Sequence, residues 1–141
     1  MAASPTTQVR DAAYGDVVHR IASEGRWCRG VAFRPDGREL AAAWDSDVVL
    51  YDPETATEQA RLSGHAQLIW SLAYSPDGFS IASAAGIINK TNAAGEWKVW
   101  DPGTRSERLG AVVPGGGFRG IAWTPDGSRV ITAGFDMKLS S

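Results

Sequence analysis

The sequence predicts an all-β chain, built as a repeat of short antiparallel strands. Three observations predict it. Pro-Asp-Gly occurs at Pro35-Asp36-Gly37, Pro76-Asp77-Gly78 and Pro125-Asp126-Gly127, with spacings of 41 and 49 residues. The stretches just before these turns alternate large and small residues, the period-two signature of a strand. No segment longer than about ten residues carries helical periodicity. The composition agrees: 16 glycines and 6 tryptophans in 141 residues suit tight turns between packed strands.

Taken in order, residues 1–15 read as a flexible lead, and residues 16–22 as an outer strand with no complete unit before it. The first strand of each unit is Gly30-Val31-Ala32-Phe33, Ser71-Leu72-Ala73-Tyr74 and Gly120-Ile121-Ala122-Trp123. Each runs into Pro-Asp-Gly, with proline second and glycine fourth, as a tight reversal requires. A second strand follows over 40–44, 80–84 and 129–133, and a third over 48–51 and 97–100. The third ends in an aromatic-Asp-Pro, Tyr51-Asp52-Pro53 or Trp100-Asp101-Pro102. A more polar fourth strand follows, around 58–62 and 107–112. The interval from Pro-Asp-Gly to aromatic-Asp-Pro is 16 residues in one copy and 24 in the next, which places an eight-residue insertion between Gly86 and Glu96. The units span approximately 24–62, 63–112 and 113–141.

Composition narrows the function classes. Hydrophobic residues at 43% and charged residues at 21% fit a globular chain and are too apolar for a disordered one. A net charge of −2 and a pI near 5.6 argue against a strongly basic nucleic-acid binder. The single cysteine, Cys28, excludes an intrachain disulfide and a cysteine-based zinc site. No apolar run approaches the roughly 18 residues of a membrane span. The first residues lack the apolar core of a signal peptide. These facts set the expectation of a cytoplasmic protein, or a nuclear one, with no membrane or nucleic-acid partner.

The combination of Gly64-His65, the strand and turn Ser71-Leu72-Ala73-Tyr74-Ser75-Pro76-Asp77-Gly78, and Trp97-Lys98-Val99-Trp100-Asp101 resembles the WD40 repeat family of β-propellers. The resemblance covers residues 16–141 and implies about three four-stranded blades, an incomplete ring within one chain. It also implies a buried tetrad in each blade: a Gly-His histidine, a second-strand Ser or Thr, a turn Asp and a third-strand Trp. The copies match it unevenly. The middle blade offers His65, Ser83 and Trp100, with its Asp position displaced by the insertion. The first keeps Asp45, with Ala41 for the hydroxyl and Tyr51 for the tryptophan. The last keeps Thr132 and Asp136. No copy is complete.

The resemblance further implies partner contacts at the blade mouths. Register carries these onto Trp27, Arg29 and Trp44 in the first blade, Leu68 and Trp70 in the second, and Arg119 and Phe135 in the third. Aromatic and arginine residues dominate, as at binding hot spots. Two arginines would suit an acidic or phosphorylated peptide. The function expected is a non-catalytic scaffold for peptide or protein partners. A regulatory or sensor segment of a larger WD40 protein, or a propeller enzyme fragment, are the alternatives.

Other motifs read as structural. Gly115-Gly116-Gly117-Phe118-Arg119-Gly120 matches a dinucleotide fingerprint in spacing, but a strand ended by proline follows it instead of the helix whose N-terminus would meet a pyrophosphate. His65 and His19 are the only histidines, too few for a catalytic zinc that needs about three protein ligands. No cofactor, metal or catalytic residue is expected. Propellers have roughly four to eight blades, so three leave two faces bare. The resolutions expected are a fragment of a longer propeller, self-association that completes a ring, or blades supplied by another protein.

Overall fold

Each Pro-Asp-Gly turn joins the first two strands of an antiparallel meander, and its chemistry is the same each time. Gly37, Gly78 and Gly127 adopt φ of 74°, 79° and 74°, a left-handed conformation open to glycine. The amide of each glycine donates to the carbonyl three residues back, on Arg34, Ser75 and Thr124. The carboxylates of Asp36, Asp77 and Asp126 accept from the amides of Arg38, Phe79 and Ser128 at 2.9, 2.9 and 3.0 Å. Side-chain bonds from Arg34, Ser75 and Thr124 first, and these amides second, hold the three carboxyls below the ordinary range, Asp126 down to about 2.

The computed structural model describes residues 6–10, 17–22, 26–87, 94–114, 117–134 and 139–140. Two four-stranded sheets carry most of the chain. Blade 1 is β3 (Cys28–Phe33), β4 (Leu40–Trp44), β5 (Asp47–Asp52) and β6 (Thr57–Ser63), in the order β3-β4-β5-β6. Blade 2 is β7 (Ile69–Tyr74), β8 (Ile81–Gly86), β9 (Gly95–Asp101) and β10 (Ser106–Val113), in the same order. Blade 3 has β11 (Phe118–Trp123), β12 (Val130–Gly134) and the two-residue β13 (Leu139–Ser140). The eight extra residues lie between β8 and β9. Trp44 pairs with Asp47 across a two-residue turn, whereas the equivalent pair Ala85–Glu96 is extended by Gly86–Gly95 before the loop begins.

At the N-terminus the structure departs from the expected flexible lead. β1 (Thr6–Arg10) pairs antiparallel with β2 (Val17–Ala22). The β-branched Thr6, Thr7 and Val9 favour extended backbone, and β2 gives that backbone a hydrogen-bonding partner. The register repeats blade 1 at an offset of 41. Thr6–Ala22 matches Asp47–Ser63, Val9–His19 matches Leu50–Ala60, and Arg10–Val17 matches Tyr51–Glu58, with the bulge at the same step. The hairpin is therefore the third and fourth strands of a preceding blade.

Alternation sorts each inner strand into two faces. Leu72 and Tyr74 of β7 pack with Ala32, Ala41, Ala43, Val48 and Leu50 of blade 1. Ile121 and Trp123 of β11 pack with Ala73, Ala82 and Ala84 of blade 2. Large residues of one blade thus seat on the small-residue face of the blade before it. Polar bonds stitch both seams. Tyr74 Oη donates to Glu39 Oε1 at 2.6 Å, and the Ile69 amide to the Asp45 carbonyl at 2.8 Å. Trp123 Nε1 donates to the Ala73 carbonyl at 3.0 Å, and the Ile121 amide to Ser71 Oγ at 3.2 Å.

Candidate functional site

The middle blade holds a continuous polar chain. Trp100 Nε1 donates to Ser83 Oγ at 2.8 Å. Ser83 Oγ lies 2.5 Å from His65 Nε2, and His65 Nδ1 lies 2.6 Å from Glu96 Oε1. Glu96 also accepts from the Ala66 amide at 3.2 Å, and Lys98 Nζ stands 3.8 Å from its other oxygen. Trp100 meets His65 edge-on with ring centroids 5.9 Å apart. One tautomer satisfies every atom: Nδ1–H donates to Glu96, and Nε2 accepts from the Ser83 hydroxyl. The expectation of an incomplete middle tetrad is therefore corrected. Glu96, first in line after the insertion at the register of Asp47, takes the acidic position from the start of β9, its longer side chain reaching where a turn aspartate would.

A serine, histidine and glutamate in this order also have the geometry of a nucleophilic triad. Ser83 is fully buried, and its oxygen already holds two partners. Buried and held from both sides, it ties the strands of the blade together.

Burial pulls His65 below the ordinary imidazole value, and Glu96 opposes it in smaller measure. The unfolded chain titrates near 6.5 and therefore binds the proton more readily than the folded chain. Stability from this group is full above that value and is lost as pH falls through it towards the folded value. The thermal midpoint is expected to drop between about pH 7.5 and 5.5. His65→Gln, less stable overall, should lose that slope. The turn carboxylates act only below about pH 4, outside the window. An unchanged slope in the variant would remove His65 as its source.

The other two blades use different chemistry. Ser83 pairs across its sheet with Leu72, and the matching pairs are Val31–Ala42 and Ile121–Thr132. The hydroxyl position of blade 1 is therefore Ala42, not Ala41. Trp44 Nε1 instead donates to Tyr51 Oη at 2.7 Å, replacing the tetrad by one buried bond. Asp45 stands at φ 51° in the turn after β4. Its carboxylate lies 3.5 Å from the Trp27 amide and 3.6 Å from Arg29 Nη1, at the mouth and outside any such network. In blade 3 Thr132 is buried, and its Oγ1 has no hydrogen-bond partner among the described residues. Asp136 lies outside the described residues.

Four of the expected mouth residues gather where blades 1 and 2 meet. The Arg29 guanidinium stacks over the Trp70 ring at 4.8 Å. Its Nη1 is buried and makes no hydrogen bond among the described residues, with Asp45 as its ion-pair partner. Trp70 Nε1 donates to the Gly86 carbonyl at 2.9 Å, which fixes the ring as a platform. Trp27 is exposed beside it, and Leu68 is at the edge of exposure. Arg119 is exposed on blade 3. Trp44 corrects the expectation of a rim residue: it is buried on the sheet face with Leu40, Ala42, Val49 and Tyr51. Strand alternation turns it inward while Asp45 takes the mouth. Phe135 lies outside the described residues. Arg26, which the sequence did not single out, stands over Trp44 at 5.9 Å and pairs with Asp47 at 3.3 Å.

At the opposite end a cleft of about 510 Å³ runs between the turns of blades 1 and 2. Arg34, Asp36, Glu39, Asp77, Phe79 and Asp101 are among its lining residues. Part of its charge is paired: Arg34 pairs with Asp36 at 2.8 Å and Glu39 at 3.8 Å, and Asp101 with Arg108 at 3.1 Å. Among the described residues no group of three or more His, Cys, Asp or Glu could hold a metal ion, and no helix is long and apolar enough to cross a membrane.

Repeated meanders, stacked large face on small face around tryptophan-anchored polar bonds, define a β-propeller repeat protein. The chain belongs to the WD40 repeat family, whose model, described as WD domain, G-beta repeat, matches residues 56–101. Coronin-7 of Rattus norvegicus is 33% identical over 75% of this chain, and WD repeat-containing protein 1 of Bos taurus is 33% identical over 61%. The chain spans only 11% and 14% of those two proteins. A solved structure of Kuenenia stuttgartiensis hydrazine synthase superposes with a TM-score of 0.75 over 90% of this chain and 35% of its own, at 22% identity, a likeness of fold alone.

Proposed function

We propose that the chain is a non-catalytic protein-interaction module that takes a short acidic or phosphorylated peptide at the blade-mouth rim. The observation that carries this is the Arg29 guanidinium, stacked on Trp70 with its side chain 22% exposed at the rim. Asp45 stands 3.6 Å from the buried Nη1 and balances its charge, and the accessible part of the guanidinium is left to donate to an incoming carboxylate or phosphate. Exposed Trp27 and Leu68 supply the apolar ground beside it. Flat aromatic surface with a planar cation is the composition of hot spots, where a few side chains carry most of the energy. Arg119 extends the same rim on blade 3. The opposite cleft is a poorer candidate, because its carboxylates outnumber the arginines that pair with them and would repel an acidic peptide.

Titration calorimetry with an array of acidic and phosphorylated peptides tests this. The best binder is expected to lose at least about tenfold in affinity to Arg29→Ala, which corresponds to about 1.4 kcal/mol. Arg29→Ala with Arg119→Ala should remove binding at physiological salt. Affinity unchanged in the double variant contradicts the proposal.

A further inference from the structure

We propose that the cleft between the turns of blades 1 and 2 is a second docking site, opposite in polarity to the rim, and that it takes an arginine-bearing segment of a partner protein. The first observation is Phe79. It follows Gly78 in the turn of blade 2, lines the cleft, and at 70% is the most exposed large apolar side chain among the described residues. Its ring joins none of the three core clusters. The turn uses only its amide, which donates to Asp77 Oδ1 at 2.9 Å. The repeat shows that the turn needs no aromatic there. Arg38 and Ser128 hold the matching positions after the other two Pro-Asp-Gly turns, and their amides make the same bond.

Charge decides the occupant. Asp36, Glu39, Asp77 and Asp101 line the cleft against one arginine, Arg34. Arg34 stands 2.8 Å from Asp36 and 3.8 Å from Glu39, and Arg108 reaches Asp101 at 3.1 Å from outside the lining residues. Arg38 acts on Asp36 at longer range without an ion pair, and the acids remain in excess. Asp77 has no ion-pair partner among the described residues. The second oxygens of Asp36 and Asp77 accept no hydrogen bond among them either, since every bond to these carboxylates goes to Oδ1. The next seam has the same pair of turns without these features. There Ser80 stands at the register of Glu39, and Ser128 at that of Phe79.

The cleft is also preformed. A Cβ on Gly78 would stand 3.2 Å from Arg34 Cγ and 3.5 Å from Pro35 Cδ, so the two turns meet closely there. Tyr74 Oη ties Glu39 to blade 2 at 2.6 Å. A volume of about 510 Å³ lies within the roughly 300–1,000 Å³ of ligand clefts. Arginine suits these walls better than lysine. Its planar guanidinium stacks on an aromatic face and forks onto carboxylates, whereas an ammonium is a compact point charge. Phe79 supplies the face, and the open oxygens of Asp36 and Asp77 supply the acceptors.

The inference does not rest on the rim reading, since the two sites share no residue. Fluorescence anisotropy on the full chain tests it, with a labelled peptide of two arginines spaced by glycines and the same peptide carrying lysines. The arginine peptide is expected to bind more tightly than the lysine peptide. Phe79→Ser, which installs the residue of the matching blade 3 position, should weaken it at least about threefold. Asp77→Asn keeps the oxygen that caps the turn and removes the charge, and with Phe79→Ser it should weaken binding at least about tenfold. Arg29→Ala with Arg119→Ala should leave this peptide unaffected, so the two sites fail or stand separately. Circular dichroism identifies a variant that does not fold, and Asp36→Asn then replaces Asp77→Asn. Amide NMR should show Phe79 and Arg38 shifting first. Absence of binding overturns the proposal. So does affinity unchanged in the folded double variant, equal binding of the two peptides, or shifts led by the Trp27 and Trp70 indoles.

Discussion

Trp100→Ala is expected to cost about 3–5 kcal/mol, the range for emptying a buried tryptophan site. Two terms add. The indole is 2% exposed and packs in the core between blades 1 and 2 with Leu50, Leu62 and Ile81, so its removal leaves a cavity that rigid strands close poorly. Its Nε1–H is also a bond to a fully buried serine, and Ser83 then keeps only His65. Trp100→Phe separates the two terms. It keeps most of the packing and loses the donor, so about 1 kcal/mol is expected. Urea unfolding of both variants, each with its midpoint and slope, makes the comparison. A loss below about 1 kcal/mol in Trp100→Ala would show that the polar chain does not anchor the blade.

Gly86→Ala is expected to destabilise by at least about 1–3 kcal/mol, the cost of overpacking a tight site. A Cβ at Gly86 would stand 2.3 Å from Gly117 Cα, with the Gly117 carbonyl carbon and the Phe118 amide at 3.1 Å. Every neighbour is backbone, so no side chain can swing away. Relief requires blade 3 to move off blade 2, which opens the seam where Phe118 and Ile121 pack on Ala82 and Ala84. Gly120→Ala is the internal control. A Cβ there would meet only Ala133 at 4.0 Å, so stability should change by well under 1 kcal/mol. Hydrogen exchange on the two variants should show protection lost across β11 and β12 for Gly86→Ala and retained for Gly120→Ala. Equal effects from the two would contradict the close approach.

The repeat was legible because its marks are local. A left-handed glycine and a capping aspartate act within one turn, so Pro-Asp-Gly reads directly from sequence and fixes the strands on either side. Glu96 was not legible. Its role depends on where an eight-residue insertion rejoins the sheet, and the hydrogen bond to His65 spans 31 residues. Arg10-Asp11, 41 residues before Tyr51-Asp52, was a usable signal for β1, but without the aromatic and the proline it does not stand out. Trp44 was misplaced because family spacing gives a position along the strand, whereas burial depends on which face the side chain takes. The Arg29–Trp70 stack joins two blades, and only the register of their seam brings it together.

The rim reading is tested most directly by nitrogen-edited NMR of the labelled chain during titration with the best acidic peptide. The indole signals of Trp27 and Trp70 and the guanidinium signal of Arg29 are expected to shift first and saturate together, while the amides of Arg38, Phe79 and Ser128 in the Pro-Asp-Gly turns stay in place. Shifts led by those turn amides, with the Trp70 and Arg29 signals unmoved, would contradict it.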